Sequence, residues 1–361
     1  MEAVLADNPK EQRRYLNFRK KLYKSGKTFV DNNYFMIKEV FGKRTSFTDS
    51  KKIYPVNIVN EGEILCQGII VYASELPEYI QICFFESLDN QAEAVRLLTG
   101  KAIEYGRLYK CSKLVVGLNG HVNYGLGFLS SHYDDKNTFS AGANPEYYNN
   151  YFKAEGYDEI KLNSYLIEAV DNRLDRYSAF INKLNRNYAF RCFDKRNFEY
   201  YSRIYTDLNN QAFTGHRYYF KRNYKEDAEM LKELFLFMKE DSLIFAFDGD
   251  KPVAFIMWYP DFNELADRGD IFGAKHFFRN IFRNKKIRTA KIMEYGVLEE
   301  YRSAGLPMGL INQVFLNIKN YGIERVESSW ILDENKDSNS FCQALCDGSY
   351  KEFTVYEKSI G

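Results

Sequence analysis

Cysteine and histidine are scarce in this chain, with six Cys and four His among 361 residues. The cysteines (Cys66, Cys83, Cys111, Cys192, Cys342 and Cys346) form no CxxC pair and have no histidine beside them. That excludes a disulfide framework and gives no support to zinc or any other metal. Cys342 and Cys346 are spaced to share a helix face, which reads as two reduced, half-buried thiols. An excess of charge is also lacking. Fifty Lys+Arg stand against 49 Asp+Glu, a net +1, so no global field draws the chain toward nucleic acid or anionic membrane. No stretch approaches the roughly 20 uninterrupted apolar residues of a membrane span. The N-terminal MEAVLADNPKEQRRYLNFRKK carries acid and polar residues where a secretory signal has its apolar core, so a cytoplasmic protein is expected. Short-period repeats and low-complexity tracts are absent as well.

What is present describes an ordinary globular chain. Apolar residues make up 45% and charged residues 27%, enough burial to offset chain entropy. The length fits one large domain or two of about 180 residues. Aromatic content is high, with 29 Tyr and 29 Phe, and reads first as core and pocket lining.

Periodicity divides the chain into two α+β halves with mixed sheets, 1–170 and 171–361, similar in element order. The first half predicts a helix from Asn8 to Lys24 and strands over Tyr54–Val59, Ile64–Tyr72 and Tyr79–Phe85. A helix over Gln91–Tyr105 and a strand over Lys113–Leu118 follow. After a Gly/Asn/Ser-rich connection, Pro145 suits the start of a helix ending at Gly156, and a strand spans Lys161–Ala169. A bridging helix runs over Asp171–Arg186. The second half predicts a strand at Tyr188–Phe193 and helices around Phe198–Phe213 and Asp227–Lys239. A hairpin of Leu243–Phe247 and Pro252–Tyr259 turns at Asp248-Gly249-Asp250-Lys251, where glycine permits positive φ. Strand Ala290–Leu298, helix Leu306–Asn320, strand Arg325–Ile331, helix Asp337–Leu345 and strand Lys351–Glu357 complete the half.

The most informative stretch is Met293-Glu-Tyr-Gly-Val-Leu-Glu-Glu-Tyr-Arg-Ser-Ala-Gly-Leu-Pro-Met-Gly-Leu310. A strand leads through a short charged turn into an amphipathic helix. A helix N-terminus has unpaired N–H groups and partial positive charge, and the small residues Ser303, Ala304 and Gly305 would let a pyrophosphate approach. This segment resembles the GNAT superfamily of acyl-CoA-dependent N-acyltransferases, whose Arg/Gln-x-x-Gly-x-Gly/Ala turn binds the pyrophosphate of coenzyme A; Arg302, Gly305 and the flanking Tyr301 match. Trp330 to Asn339 and the helix to Leu345 resemble the next motif of that family, where an asparagine precedes a helix beside the cofactor. Tyr350 to Lys358 resembles its closing strand. Lys251 to Asn263, Phe84-Phe85-Glu86 and Pro145 to Asn149 resemble a bacterial group of two-domain GNAT-like proteins, so the likeness spans nearly the whole chain.

The resemblance implies tandem GNAT-like domains, the first degenerate, and an acetyl-CoA or other acyl-CoA co-substrate in the second. Its binding residues would be Val297, Leu298, Arg302, Ser303, Ala304, Gly305 and Leu306, with Asn335 and Asn339 both fitting the second motif. The acceptor would be a small-molecule or peptide amine. Pro307 departs from the pattern by removing one N–H from the turn, and the first half lacks the turn altogether. Amine acylation needs a base, a stabilised carbonyl oxygen and a leaving thiolate. In the family, backbone N–H groups near a splayed strand hold the carbonyl oxygen. Glu294, on the strand leading into the turn, is the expected general base, with Tyr350 or Tyr356 as acid by family analogy. Arg268 to Lys291 is strongly basic and interleaved with Phe277, Phe278, Ile281 and Phe282. Here the simpler expectation is a helix packing its apolar stripe on the domain, with tRNA or a membrane surface as alternatives. Rival readings are an aminoacyl transferase using charged tRNA and a non-catalytic binding module. Homo-oligomerisation is left open.

Overall fold

The computed structural model describes residues 1–26, 29–170, 173–283 and 287–361. Asp171, Lys285 and Lys286 therefore lie outside the described residues. The chain divides into two compact units, one of residues 1–163, 266–273 and 351–361, the other of residues 164–265 and 274–350.

In the first unit the sheet runs in the order Glu2–Leu5, Lys51–Asn60, Glu63–Ala73, Tyr79–Ser87, Lys113–Val116, Glu352–Ser359, Asp158–Asn163. Neighbours are antiparallel except Tyr79–Ser87 and Lys113–Val116. Its strands are apolar on both faces because helices cover both. Ile58, Ile70, Ile80 and Ile82 pack under the helix Ala92–Leu108, through Ala94, Val95, Leu98 and Ala102. On the opposite face Ile69, Val71 and Cys83 meet Tyr15 of the helix Pro9–Gly26, and Ile37 and Val40 of the helix Tyr34–Gly42.

The second unit's sheet is ordered Leu166–Glu168, Arg325–Ser328, Thr289–Val297, Lys251–Pro260, Leu243–Asp248, Ala189–Cys192. Only Thr289–Val297 and Arg325–Ser328 run parallel. The hairpin forms as expected, with Asp248 paired to Lys251 and Gly249 at φ +58°. Leu310, Ile311, Val314, Phe315 and Ile318 of the helix Leu306–Lys319 fill the core on one face, with Ile181 and Leu184 of the helix Ser178–Asn187. The helix Phe198–Ala212 covers the other, where the Tyr205 ring meets Phe255 edge-on.

Two expectations need revising. The last strand, expected to close the second half, pairs in the first unit's sheet between Lys113–Val116 and Asp158–Asn163. The run Lys161–Ala169, expected as one strand, is two: Asp158–Asn163 in the first sheet and Leu166–Glu168 in the second. Both have strand-like composition, but pairing partners are set by tertiary contacts that local pattern does not encode. Among the described residues no helix is long and apolar enough to cross a membrane, and no cluster of His, Cys, Asp or Glu could hold a metal.

Candidate functional site

In the second unit the strand Thr289–Val297 is distorted where chemistry is expected. Trp258 pairs with Ile292 and Met257 with Glu294, so Met293 is an extra, bulged residue. Its parallel ladder to Arg325–Ser328 stops at Ile292 and Ser328, whereas the antiparallel ladder on the other edge continues to Val297. The strand edge beyond Ile292 thus opens away from its parallel neighbour.

A cavity of about 970 Å³ lies at this opening. Of the residues expected to hold a cofactor, Val297, Arg302, Ser303, Gly305 and Asn335 line it. Leu298 instead donates its N–H to the Val253 carbonyl (3.0 Å), and Leu306 is fully buried in the core. Ala304 packs against that same core and is not part of the lining. The two asparagines separate cleanly. Asn335 caps the helix Lys336–Leu345, its side chain accepting from the Ser338 N–H (3.1 Å). Asn339 is buried, with bonds from the Tyr165 hydroxyl (2.8 Å) and to the Leu332 and Asn335 carbonyls (2.9 and 2.8 Å). Its polar atoms are engaged by structural partners.

The turn before the helix is more regular than a loop. Glu299–Ala304 coils as a 3₁₀ helix, the geometry in which N–H groups point back at carbonyls three residues earlier. Gly305 then adopts φ +76° on the cavity wall, where that turn hands over to the helix Leu306–Lys319. Pro307 in the first turn supplies no donor. The Phe180 ring lies so close that a Cβ on residue 305 would sit 2.5 Å from it. Arg302 is exposed on the rim and donates to the Ala212 carbonyl (3.2 Å) at the end of the helix Phe198–Ala212. That contact ties the turn to the end of the helix.

Glu294 faces the helix Phe198–Ala212. Its carboxylate accepts from the Tyr205 hydroxyl and from Asn209 Nδ2 (2.9 Å). Burial raises its pKa above the ordinary carboxylate value, opposed by the nearby Arg222 guanidinium and by both hydrogen bonds. Arg222 is itself ion-paired with buried Asp227. Glu294 does not line the cavity, and neither does Tyr350, whose N–H donates to the Ser164 carbonyl (2.7 Å). Tyr356 is in the first unit, fully buried, donating to Asn149 Oδ1 (2.9 Å).

Several lining residues escape sequence reasoning. His216 and Arg217 come from the loop after the helix Phe198–Ala212, a Thr-Gly-His-Arg run whose glycine and histidine are its only sequence signal. The His216 Nδ1 accepts from the Tyr218 N–H (3.3 Å), so the neutral ring carries its proton on Nε2. Burial lowers its pKa to about 4, which keeps it a neutral hydrogen-bond donor at pH 7. Arg217 bonds Glu334 on the same lining (3.1 Å). The Tyr295 hydroxyl donates to Ser338 Oγ (2.8 Å), and burial holds its pKa well above the ordinary value.

Comparison with known proteins places the fold. No family model matches the chain. It aligns over its full length with a tandem GNAT protein from the clavulanic acid biosynthesis pathway, covering 98% of that chain at 12% identity and a TM-score of 0.57. A structure from Enterococcus faecalis V583, described as a probable N-acyltransferase, aligns with 99% of this chain and 72% of its own at 8% identity and a TM-score of 0.54. The architecture is therefore that of tandem GNAT proteins. Protein YghO of Escherichia coli K12 is 25% identical over 189 residues, half of this chain. The match spans 48% of that curated relative's length.

Proposed function

We propose that this protein is an N-acyltransferase that takes an acetyl or other acyl group from acyl-CoA in its second unit and delivers it to an amine. The observation carrying this reading is the cavity of about 970 Å³ that follows the opened strand edge and is lined by Val297, Arg302, Ser303 and Gly305 of the strand, turn and helix start. The fold is common to many GNAT-like proteins; a cavity that reaches a helix start across small residues, Ser303 and Gly305, is the specific requirement for a diphosphate.

Acyl-CoA would supply a thioester whose acyl carbon is open to attack by an amine. The Gly305 N–H and the helix dipole would hold the diphosphate, and Arg302 would add positive charge at the rim. Pro307 removes one donor, a loss of about 1.5–3 kcal/mol relative to a turn with all its N–H groups. The strand edge past Ile292 offers the position for the acyl carbonyl, where main-chain donors stabilise developing negative charge. Glu294 is the proposed base, acting through an intervening proton carrier because its carboxylate does not line the cavity. Its raised pKa brings it closer to the working range of a general base. His216, neutral and protonated on Nε2, is a donor and leaves the base role to Glu294. Tyr295, which lines the cavity and keeps its proton, replaces Tyr350 as the proposed acid for the departing thiolate.

Thermal unfolding with and without acetyl-CoA tests the reading. Binding is expected to raise the transition temperature, and Glu294→Gln to keep that shift while turnover on an amine panel falls on the order of 100-fold or more. No shift at millimolar acetyl-CoA would remove the co-substrate; unchanged turnover in Glu294→Gln would remove the base.

A further inference from the structure

We propose that the helix Ala274–Arg283 docks this protein onto the surface of an anionic lipid bilayer. The inner side of this helix is fully committed. His276 is buried, the Phe277 ring meets Phe237 edge-on at 5.6 Å, and Asn280 Nδ2 donates to the Phe237 carbonyl (3.0 Å). Its outer side carries an apolar edge beside the exposed Lys275. Phe278, Ile281 and Phe282 are 58%, 54% and 82% exposed. Their i, i+3, i+4 spacing joins them into one apolar edge. Apolar side chains scattered singly on a surface need no explanation, but a contiguous set is a mark of an interaction site.

Charge selects the partner. From Lys275 to Lys286, along and just after this helix, the sequence carries five Lys or Arg and no acid; Lys291 is buried and adds nothing to this charge. An aromatic and aliphatic edge flanked by cations is the pattern of a helix lying in the headgroup region, apolar side down, with each nearby cation attracted to anionic lipid. Nucleic acid fits less well. The guanidinium of Arg279 is tied to the Leu265 carbonyl (2.7 Å), and that of Arg288 is paired with Glu324 (2.5 Å), so neither is a free fork for a phosphate. Ile281 also has no ring to stack on a base. A protein partner fits less well because one helical turn falls far short of the roughly 800 Å² per side of a stable interface. A bilayer sets no such minimum, since insertion adds to long-range attraction.

Co-sedimentation of the full chain with vesicles is the test. Vesicles containing phosphatidylglycerol are expected to bind it and vesicles of phosphatidylcholine alone are not, with binding falling as salt is raised. The triple variant Phe278→Ser, Ile281→Ser, Phe282→Ser should bind at least roughly tenfold more weakly at an unchanged unfolding temperature, because the three side chains face solvent. Lys275→Glu should weaken binding roughly fivefold or more by reversing one charge. The proposal is overturned by absence of binding to phosphatidylglycerol vesicles at low salt, by equal binding to both vesicle types, or by full binding of the triple variant. It is equally overturned if vesicles are ignored while the patch drives self-association or retention on RNA.

Discussion

The two units carry the same strand defect and treat it in opposite ways. In the first, the parallel ladder from Tyr79–Ser87 to Lys113–Val116 ends at Ile82 and Val116, and Phe84 and Phe85 bulge opposite Gly68. In the second, the ladder ends at Ile292 and Ser328 with Met293 bulged. There the likeness stops. The first unit closes the opening with its own side chains. The Phe84 N–H donates to Asn119 Oδ1 (2.8 Å), the Ser87 N–H to the Tyr148 hydroxyl (2.9 Å) and the Gln91 N–H to the Tyr151 hydroxyl (3.0 Å). Tyr147, from the same helix, donates to the Ser87 carbonyl (2.9 Å). The second unit instead keeps a cavity of about 970 Å³ there, with Val297, Ser303 and Gly305 on its wall. A ligand site of this kind consists of main-chain groups that the protein declines to satisfy, and satisfying them converts a site into scaffold.

The first unit should therefore be sensitive in its buried polar links, and the largest expected effect lies there. Arg19, 1% exposed, makes a two-pronged pair with Asp31 (2.7 and 2.8 Å) and a third bond to Glu86 (2.6 Å). Arg19→Ala leaves two buried carboxylates without a countercharge, a loss of about 3–5 kcal/mol. Hydrogen exchange across Tyr79–Ser87 should accelerate accordingly, while the second unit's strands keep their protection. A loss spread equally over both units would break the comparison.

A second effect is pH-dependent and somewhat smaller. Burial raises the Glu86 pKa from the ordinary 4.5 to about 7, against the opposing pull of Arg19 and the Tyr148 hydrogen bond. A group whose pKa is higher in the folded state stabilises below its unfolded value and loses that contribution as pH rises through its folded value. Stability of the first unit should thus fall between about pH 4.5 and pH 7, by roughly 3 kcal/mol at most, and level off above. Glu86→Gln should flatten that slope in urea titrations at several pH values. A slope unchanged by the substitution would show that another group carries it.

How much of this was legible beforehand depends on whether the information is local. The Asp248–Lys251 hairpin and the helix Leu306–Lys319 are readable because a turn glycine and an amphipathic stripe are local signals. The helix Tyr34–Gly42 and the edge strand Glu2–Leu5 are not readable in this way, being too short to build up a periodic pattern. Glu352–Ser359 is readable as a strand but not as a member of the first unit's sheet, since partner choice is a tertiary decision. The site divides in the same way. Val297, Arg302, Ser303 and Gly305 follow one another in sequence and could be named together, and Asn335 joined them through its motif. His216 and Arg217 come to the same cavity from a distant segment, and only the fold brings them there. Asn119 and the tyrosines that seal the first unit are ordinary turn and core residues by composition, so the absence of a motif was visible but its replacement was not.

The smallest effect on stability is the most direct on function. Gly305→Ala places a methyl group where the Phe180 ring already sits, 2.5 Å from the ring edge, on a backbone with φ +76°. The left-handed backbone alone costs about 1–2 kcal/mol for an L-residue with a side chain. Phe180 is 40% exposed and can turn outward, so the clash itself should add little to the loss of stability. The ring or the methyl must, however, occupy the approach to the Gly305 N–H. The variant is expected to unfold only a few degrees lower and to lose the acetyl-CoA-dependent thermal shift. Double substitution with Phe180→Ala removes the clash and leaves the backbone strain, and should restore part of that shift while stability stays reduced. Restoration would assign the loss to a blocked donor. If the shift survives in Gly305→Ala itself, the start of the helix Leu306–Lys319 is not where the ligand is held, and the second unit's turn is scaffold.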